Sequence, residues 1–379
     1  MKVYFPNLDG LRFTAAFLVV LEHASGYLSS AVPAYSSHTR PHLVEAGRYG
    51  VTLFFVLSGF LITYLLMAEQ QKTATIDIKK FYIRRMLRIW PLYFAFGLIS
   101  IFTTDAVLAH FGIPVHTPKM TNLLYLLTFT INFQLIFGAS NRGIVALLWS
   151  VCVEEQFYAA WPWAVRRGAK QIRSVIIGFI AIGIVSTGIM HLLVVSGHIN
   201  GQMNPIYIFP LCRFGHFGIG ALGAYLLSNK EKFPRFYLLT RNRWIQAAVI
   251  LLAFMVSFQI ILMPAFVDAY FLDMVPALLF GYIILAAVSG NFLVNMEVPL
   301  LKRMGTYSYG IYVLHTTVAQ LCVGIFKRYI PAGFLTYEVF YPLFVTAAVV
   351  LVAGLSYELY EKRFLQIKKK YTIIQNHPV

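Results

Sequence analysis

The sequence predicts an all-α integral membrane protein: about ten transmembrane helices and one further re-entrant or interfacial segment, in a single domain over residues 1–379. Two observations predict this. Hydrophobic residues make up 59% of the chain and charged residues only 12%, about half the charge of a soluble domain. Membrane-length apolar stretches recur from end to end, without the alternation of β-barrel strands.

The stretches lie at 9–29, 48–68, 90–111, 144–165, 172–195, 206–227, 244–263, 270–290, 308–327 and 337–360. An eleventh, 121–139, decides the topology. As a crossing it puts Arg166, Arg167, Lys170 and Arg173 outside and inverts every later loop. As a dip or a surface segment it leaves most lysines and arginines on one side, including Lys72, Lys79, Lys80, Arg84, Arg85 and Arg88. Basic residues gather in cytoplasmic loops, so the second arrangement is expected, with both termini cytoplasmic. The first stretch has a weak basic start at Lys2, an ionised centre and no small-residue cleavage site, so it is expected to be retained. No fused soluble extracytoplasmic domain is expected, because no long extramembrane segment remains.

The net charge of +16 belongs to these loops rather than to nucleic-acid binding, and a lipid bilayer is the expected partner. Cys152, Cys212 and Cys322 fall in separate apolar stretches and read as small apolar side chains. His38, His42, His110 and His116 show no ligand spacing, so no metal is expected. Nothing in the sequence speaks to the oligomeric state.

Chemistry is expected where ionisable groups sit in apolar stretches, because burying them there is expensive. In LDGLRFTAAFLVVLEHASGY, Arg12 and His23 are eleven residues apart. That spacing returns to the same helix face within about 20°, some 16 Å along the axis. Glu22 is adjacent. In IDIKKFYIRRMLRIWPLYF, Arg84, Arg85 and Arg88 stand at the start of a span. They read either as an anchor on anionic lipid or as arginine forks for phosphate. In LLWSVCVEEQFYAAWPW, Glu154 and Glu155 point about 100° apart, so at most one faces a given cavity squarely. Tyr158 lies one turn beyond Glu154. In GTYSYGIYVLHTTV, Ser308, Tyr312 and His315 share a face, and Arg213 and His216 form another polar pair among glycines. Ser58 lacks the context of a nucleophile and reads as an interhelical hydrogen bond.

Five pieces in this order, NLDGLRFTAAFLVVLEH, GVTLFFVLSGFLIT, FYIRRMLRIWPLYF, LWSVCVEEQFYAAWP and GTYSYGIYVLH, resemble membrane-bound acyltransferase family 3. These are bacterial integral-membrane O-acyltransferases. The resemblance implies a multi-pass protein of the bacterial inner membrane. It implies transfer from acyl-CoA, usually acetyl-CoA, at the cytoplasmic face to a hydroxyl of an envelope glycan or glycolipid. The family's arginine–ten residues–histidine pattern falls on Arg12 and His23, and its basic motif on Arg84, Arg85 and Arg88.

On this reading His23 is the general base or, alternatively, an acyl carrier. Glu154, Glu155 or Glu22 balances the imidazolium. Arg12 holds the coenzyme with Arg84, Arg85 and Arg88 or stabilises developing charge. Glu22, Arg213, Tyr312 and His315 are the expected acceptor-binding residues. A proton-coupled exporter of a small molecule or glycan is the alternative, because it too uses intramembrane His, Glu and Arg.

Overall fold

The computed structural model describes residues 3–31, 46–110, 118–138, 144–199, 203–261, 274–329 and 339–374. His38, Arg40, His42, His116 and Arg142 lie outside the described residues, as does the side chain of His110. Every regular element among the described residues is helical. The longer helices are α1 (Leu8–Ala31), α2 (Ala46–Thr73), α3 (Ile78–His110), α4 (Lys119–Leu127), α5 (Ile131–Phe137), α6 (Trp149–Arg167) and α7 (Ile172–Val195). They continue as α8 (Pro210–Ser228), α9 (Pro234–Arg241), α10 (Arg243–Ser257), α11 (Met274–Val288), α12 (Pro299–Thr306), α13 (Ser308–Tyr329) and α14 (Tyr341–Ser356). A π-helical turn, Tyr357–Glu361, carries α14 into α15 (Lys362–Lys369).

Local chemistry sets several boundaries. Pro210, Pro234, Pro299 and Pro342 sit in first turns, where a missing N–H costs nothing. Asn242 starts α10 by accepting from the N–H groups of Trp244 and Ile245 at 2.9 and 3.2 Å.

Five helical stretches are long and apolar enough to cross a membrane: Ala46–Thr73, Ile78–Thr103, Ala169–Val195, Ser308–Phe326 and Tyr341–Lys369. α1 and α6 also have transmembrane length, at 24 and 19 residues, but carry the charges discussed below. The doubtful stretch 121–139 is no single crossing. It is two helices of 9 and 7 residues, broken where Phe129 takes a left-handed φ of 54°. At about 1.5 Å per residue neither spans a bilayer.

Burial places α2 at the centre: 72% of its apolar window is buried, against 22% for α7 and 17% for the last helix. Ile177, Val185, Ile189 and Leu192 on α7, and Leu343, Leu351 and Leu355 on α14, turn outward. An outward apolar surface is what lipid contact requires. α8 crosses α2 at backbone distance. A Cβ on Gly220 would lie 2.0 Å from the Val56 carbonyl oxygen, and one on Gly59 2.1 Å from that of Phe217. α1 packs against α2 and α13, and α3, α6 and α13 close the bundle around the cavity described next. All three cysteines are buried and unpaired.

Candidate active site

A cavity opens between α1, α2, α3, α6 and α13, with about 810 Å³ of free space including its mouth. Arg12 enters it from α1, and Arg85 and Arg88 from α3. Arg12 is held by Asp9, one turn earlier, at 2.6 Å. Arg85 lies over the rings of Tyr158 and Phe81, 5.5 and 5.6 Å from their centroids. Among the described residues no ion pair forms to Arg85 or Arg88. Arg84 is different. It pairs with Glu69 at 3.0 Å and donates to the Tyr371 carbonyl at 3.0 Å, while Glu69 also accepts the Asp77 N–H at 2.8 Å. Arg84 therefore ties α2, α3 and the C-terminal segment together.

The middle of the cavity is a carboxylate held by hydroxyls. Ser58 from α2 donates to Glu154 Oε1, and Tyr158, one turn on, donates to the same oxygen at 2.5 Å. Ser58 makes the interhelical bond expected of it. Glu155 turns aside and accepts from Trp90 Nε1 at 3.2 Å. Also lining the cavity, Tyr312 from α13 and Ser150 from α6 share a hydrogen bond of 2.5 Å. The Tyr312 hydroxyl also donates to the Leu147 carbonyl at 3.1 Å.

His23 does not line this cavity. It meets His315, with ring centroids 4.9 Å apart at 72°, and His315 in turn lies 5.7 Å from the Tyr312 ring. His23 Nδ1 faces the Val19 carbonyl at 3.0 Å and His315 Nδ1 the Tyr312 carbonyl at 2.5 Å. A carbonyl only accepts, so each ring carries its proton on Nδ1 and presents the Nε2 lone pair. His315 Nε2 is buried and meets no partner among the described residues.

Glu22 serves the start of α2, accepting the N–H groups of Gly47 and Arg48 at 2.6 and 3.2 Å. A carboxylate there satisfies orphan donors and complements the helix dipole. Arg213 is buried and does not line the cavity. Its Nε donates to the Tyr207 carbonyl at 2.6 Å, its guanidinium stacks 4.4 Å from the Tyr207 ring, and Nη1 lies 3.2 Å from His216 Nε2.

The structure thus gathers Arg12, Arg85, Arg88, Glu154 and Tyr312 in one cavity and places His315 and His23 beyond its Tyr312 end. Sequence reasoning did not single out Ser150 or Tyr309 as cavity residues. Tyr309 donates to the Ile89 carbonyl at 2.8 Å. Ser150 precedes Glu154 by one turn, which is the signal that could have found it.

Residues 5–361 match the family model described as an acyltransferase domain. The chain belongs to acyltransferase family 3. This family member is 26% identical to the Peptidoglycan O-acetyltransferase OatA of Listeria monocytogenes, over all of this chain and 60% of that protein. It is 26% identical to the Putative peptidoglycan O-acetyltransferase YrhL of Bacillus subtilis, over 95% of this chain and 54% of the relative. The O-acetyltransferase OatA of Staphylococcus aureus is 26% identical over 59% of this chain and 35% of its own length. The chain therefore spans 60% or less of these relatives. No solved structure matches this acyltransferase-family chain.

Proposed function

We propose that this protein is a membrane O-acetyltransferase, moving an acetyl group from cytoplasmic acetyl-CoA to a hydroxyl of an envelope glycan or glycolipid. The observation that carries the reading is the set of arginines lining the cavity. Arg85 and Arg88, with Arg12, face one space, and no ion pair forms to the first two among the described residues. Guanidinium forks suit the phosphates of a coenzyme A nucleotide. Lipid-facing surfaces, basic loops and the names of the relatives support an inner-membrane enzyme with a carbohydrate acceptor.

In this reading the chain crosses the membrane about ten times, residues 119–137 dip in or lie at the outer surface, and both termini are cytoplasmic. Arg12, Arg85 and Arg88 bind the coenzyme phosphates, with Arg84 bracing them. The pantetheine arm runs past Glu154 towards Tyr312, a course comparable with the roughly 16 Å from Arg12 to His23 along α1.

His23 Nε2 takes the proton of the acceptor hydroxyl as its oxygen attacks the thioester carbonyl. The C–O bond forms, the C–S bond breaks, and coenzyme A leaves as a thiolate that collects a proton. Glu154 offsets the positive charge that accumulates along the track, and Tyr312 and His315 bind the acceptor. Glu155, Glu22 and Arg213 act by holding α6, the start of α2 and α8 in place. A route through an acetylated His23 uses the same residues.

Mass spectrometry of envelope glycans from cells with and without the protein tests the reading. O-acetylated glycan disappears with the gene if it is right. An unchanged acetylation pattern under conditions of full expression contradicts it.

A further inference from the structure

We propose that Ser150 is a positioning residue: it latches Tyr312 as a movable partition between the cavity and the His315–His23 pair, and so keeps the donor thioester from water until an acceptor arrives. The proposal rests on acetyl-CoA being the donor and His23 the base.

Tyr312 touches both sides. It lines the cavity together with Ser150, whereas His315 and His23 do not. Its ring nevertheless stands 5.7 Å from that of His315, which stands 4.9 Å from that of His23. Phe54 of α2, another cavity residue, meets Tyr312 edge to face at 5.9 Å. Reacting atoms must approach to about 3.5 Å. A thioester in the cavity and a base behind Tyr312 are held farther apart than that until the ring moves.

The latch is made of two hydrogen bonds. Tyr312 has one hydroxyl proton, and the Leu147 carbonyl at 3.1 Å can only accept it. Ser150 therefore donates in the 2.5 Å bond to the Tyr312 oxygen. Both bonds come from the stretch that leads into α6, and Ser150 is buried there. Two such bonds hold a ring without locking it, because the net worth of each is modest. Behind the ring, His315 is 1% exposed and its Nε2 meets no donor among the described residues. A buried lone pair of this kind calls for a polar partner. An acceptor rich in hydroxyls supplies one, and it also replaces the bonds that Ser150 and the Leu147 carbonyl give up, so it favours the open state.

A partition here guards the thioester against water. When it opens without an acceptor, water takes the acceptor's place. The water oxygen forms the new C–O bond and the C–S bond breaks. One water proton passes by way of His23 to the thiolate, the other is released as the acid ionises, and acetate and coenzyme A leave.

The test is release of labelled acetate from acetyl-CoA by the full chain in nanodiscs without acceptor, read beside acetyl-CoA affinity and melting temperature. Ser150→Ala should raise the release about tenfold, the scale of one lost hydrogen bond, with coenzyme affinity as in the wild type. Ser150→Thr, which keeps the hydroxyl, should hold the release low. Tyr312→Phe keeps the ring but loses both bonds, so it should leak at least as much, and it carries the test if Ser150→Ala does not fold. Asn242→Ala loses the cap of α10, away from the cavity, and controls for lowered stability. Wild-type release in the Ser150→Ala and Tyr312→Phe variants overturns the proposal, as does an equal leak in Asn242→Ala. Labelled glycan from the wild type beside such a result removes the latch alone, whereas a wild type that does not bind acetyl-CoA removes the donor reading with it.

Discussion

His23 and His315 meet edge to face, 4.9 Å between ring centroids, each with Nδ1 turned to a carbonyl of its own helix. Both therefore offer Nε2 lone pairs, and a proton taken by one has the other beside it. If His23 is the base, His315 is the neighbour best placed to share the charge. His23→Ala should lower turnover by roughly 10²–10⁴, the usual contribution of a general base. His315→Ala should also lower kcat while coenzyme affinity stays unchanged. Near-wild-type kcat in His315→Ala reduces the pair to packing.

The arginines should divide by function. Arg85→Gln and Arg88→Gln should each weaken acetyl-CoA binding about tenfold, with little change in thermal stability. Arg84→Gln should do the reverse, because Glu69 is only 2% exposed and loses its counter-charge. Breaking such a pair costs roughly 3–5 kcal/mol. Calorimetric affinity and melting temperature, measured on all three, separate the two roles.

Gly220→Ala should sharply destabilise the protein, because its Cβ would lie 2.0 Å from the Val56 carbonyl oxygen. Overpacking costs roughly 1–3 kcal/mol even where side chains yield, and here the obstacle is backbone. Gly223→Ala is the control, since its Cβ would sit 3.5 Å from Phe60 Cδ2 in ordinary contact. Equal melting temperatures for the two variants would contradict the close α2–α8 crossing.

Glu297 offers a pH test outside the membrane-spanning helices. Burial pushes its carboxyl up, but hydrogen bonds from Tyr4, the Asn7 N–H and Lys302 outweigh this and hold it below its ordinary value. A depressed carboxyl stabilises the fold above its unfolded value near pH 4 and loses that contribution as pH falls through the folded value. Glu297→Gln should therefore cost about 1 kcal/mol at neutral pH, and the gap from wild type should close on acidification. A gap that does not narrow at all as the pH is lowered contradicts the assignment.

Much of this site was legible in the sequence. The eleven-residue spacing pointed to Arg12 and His23 together, although only Arg12 lines the cavity, and the 100° step between Glu154 and Glu155 agrees with Glu154 alone lining it. The helical phase of α3 was not legible. Arg84 and Arg88 share a face by spacing, yet Arg85 and Arg88 reach the cavity, because Glu69 on α2 claims Arg84. Glu22 likewise works on the N–H groups of Gly47 and Arg48, a partner set by how the chain returns rather than by local pattern. The contact of His23 with His315 joins the first helix to a distant one, which no periodicity within either helix encodes.

The central claim is acetyl transfer from coenzyme A through His23. Purified protein in nanodiscs, supplied with labelled acetyl-CoA and an envelope glycan extract, tests it most directly when His23→Ala is run beside the wild type. The account predicts labelled O-acetyl glycan from the wild type and none from a folded His23→Ala that still binds coenzyme A. Equal labelling by the two proteins, or no labelled glycan from the wild type, would contradict it.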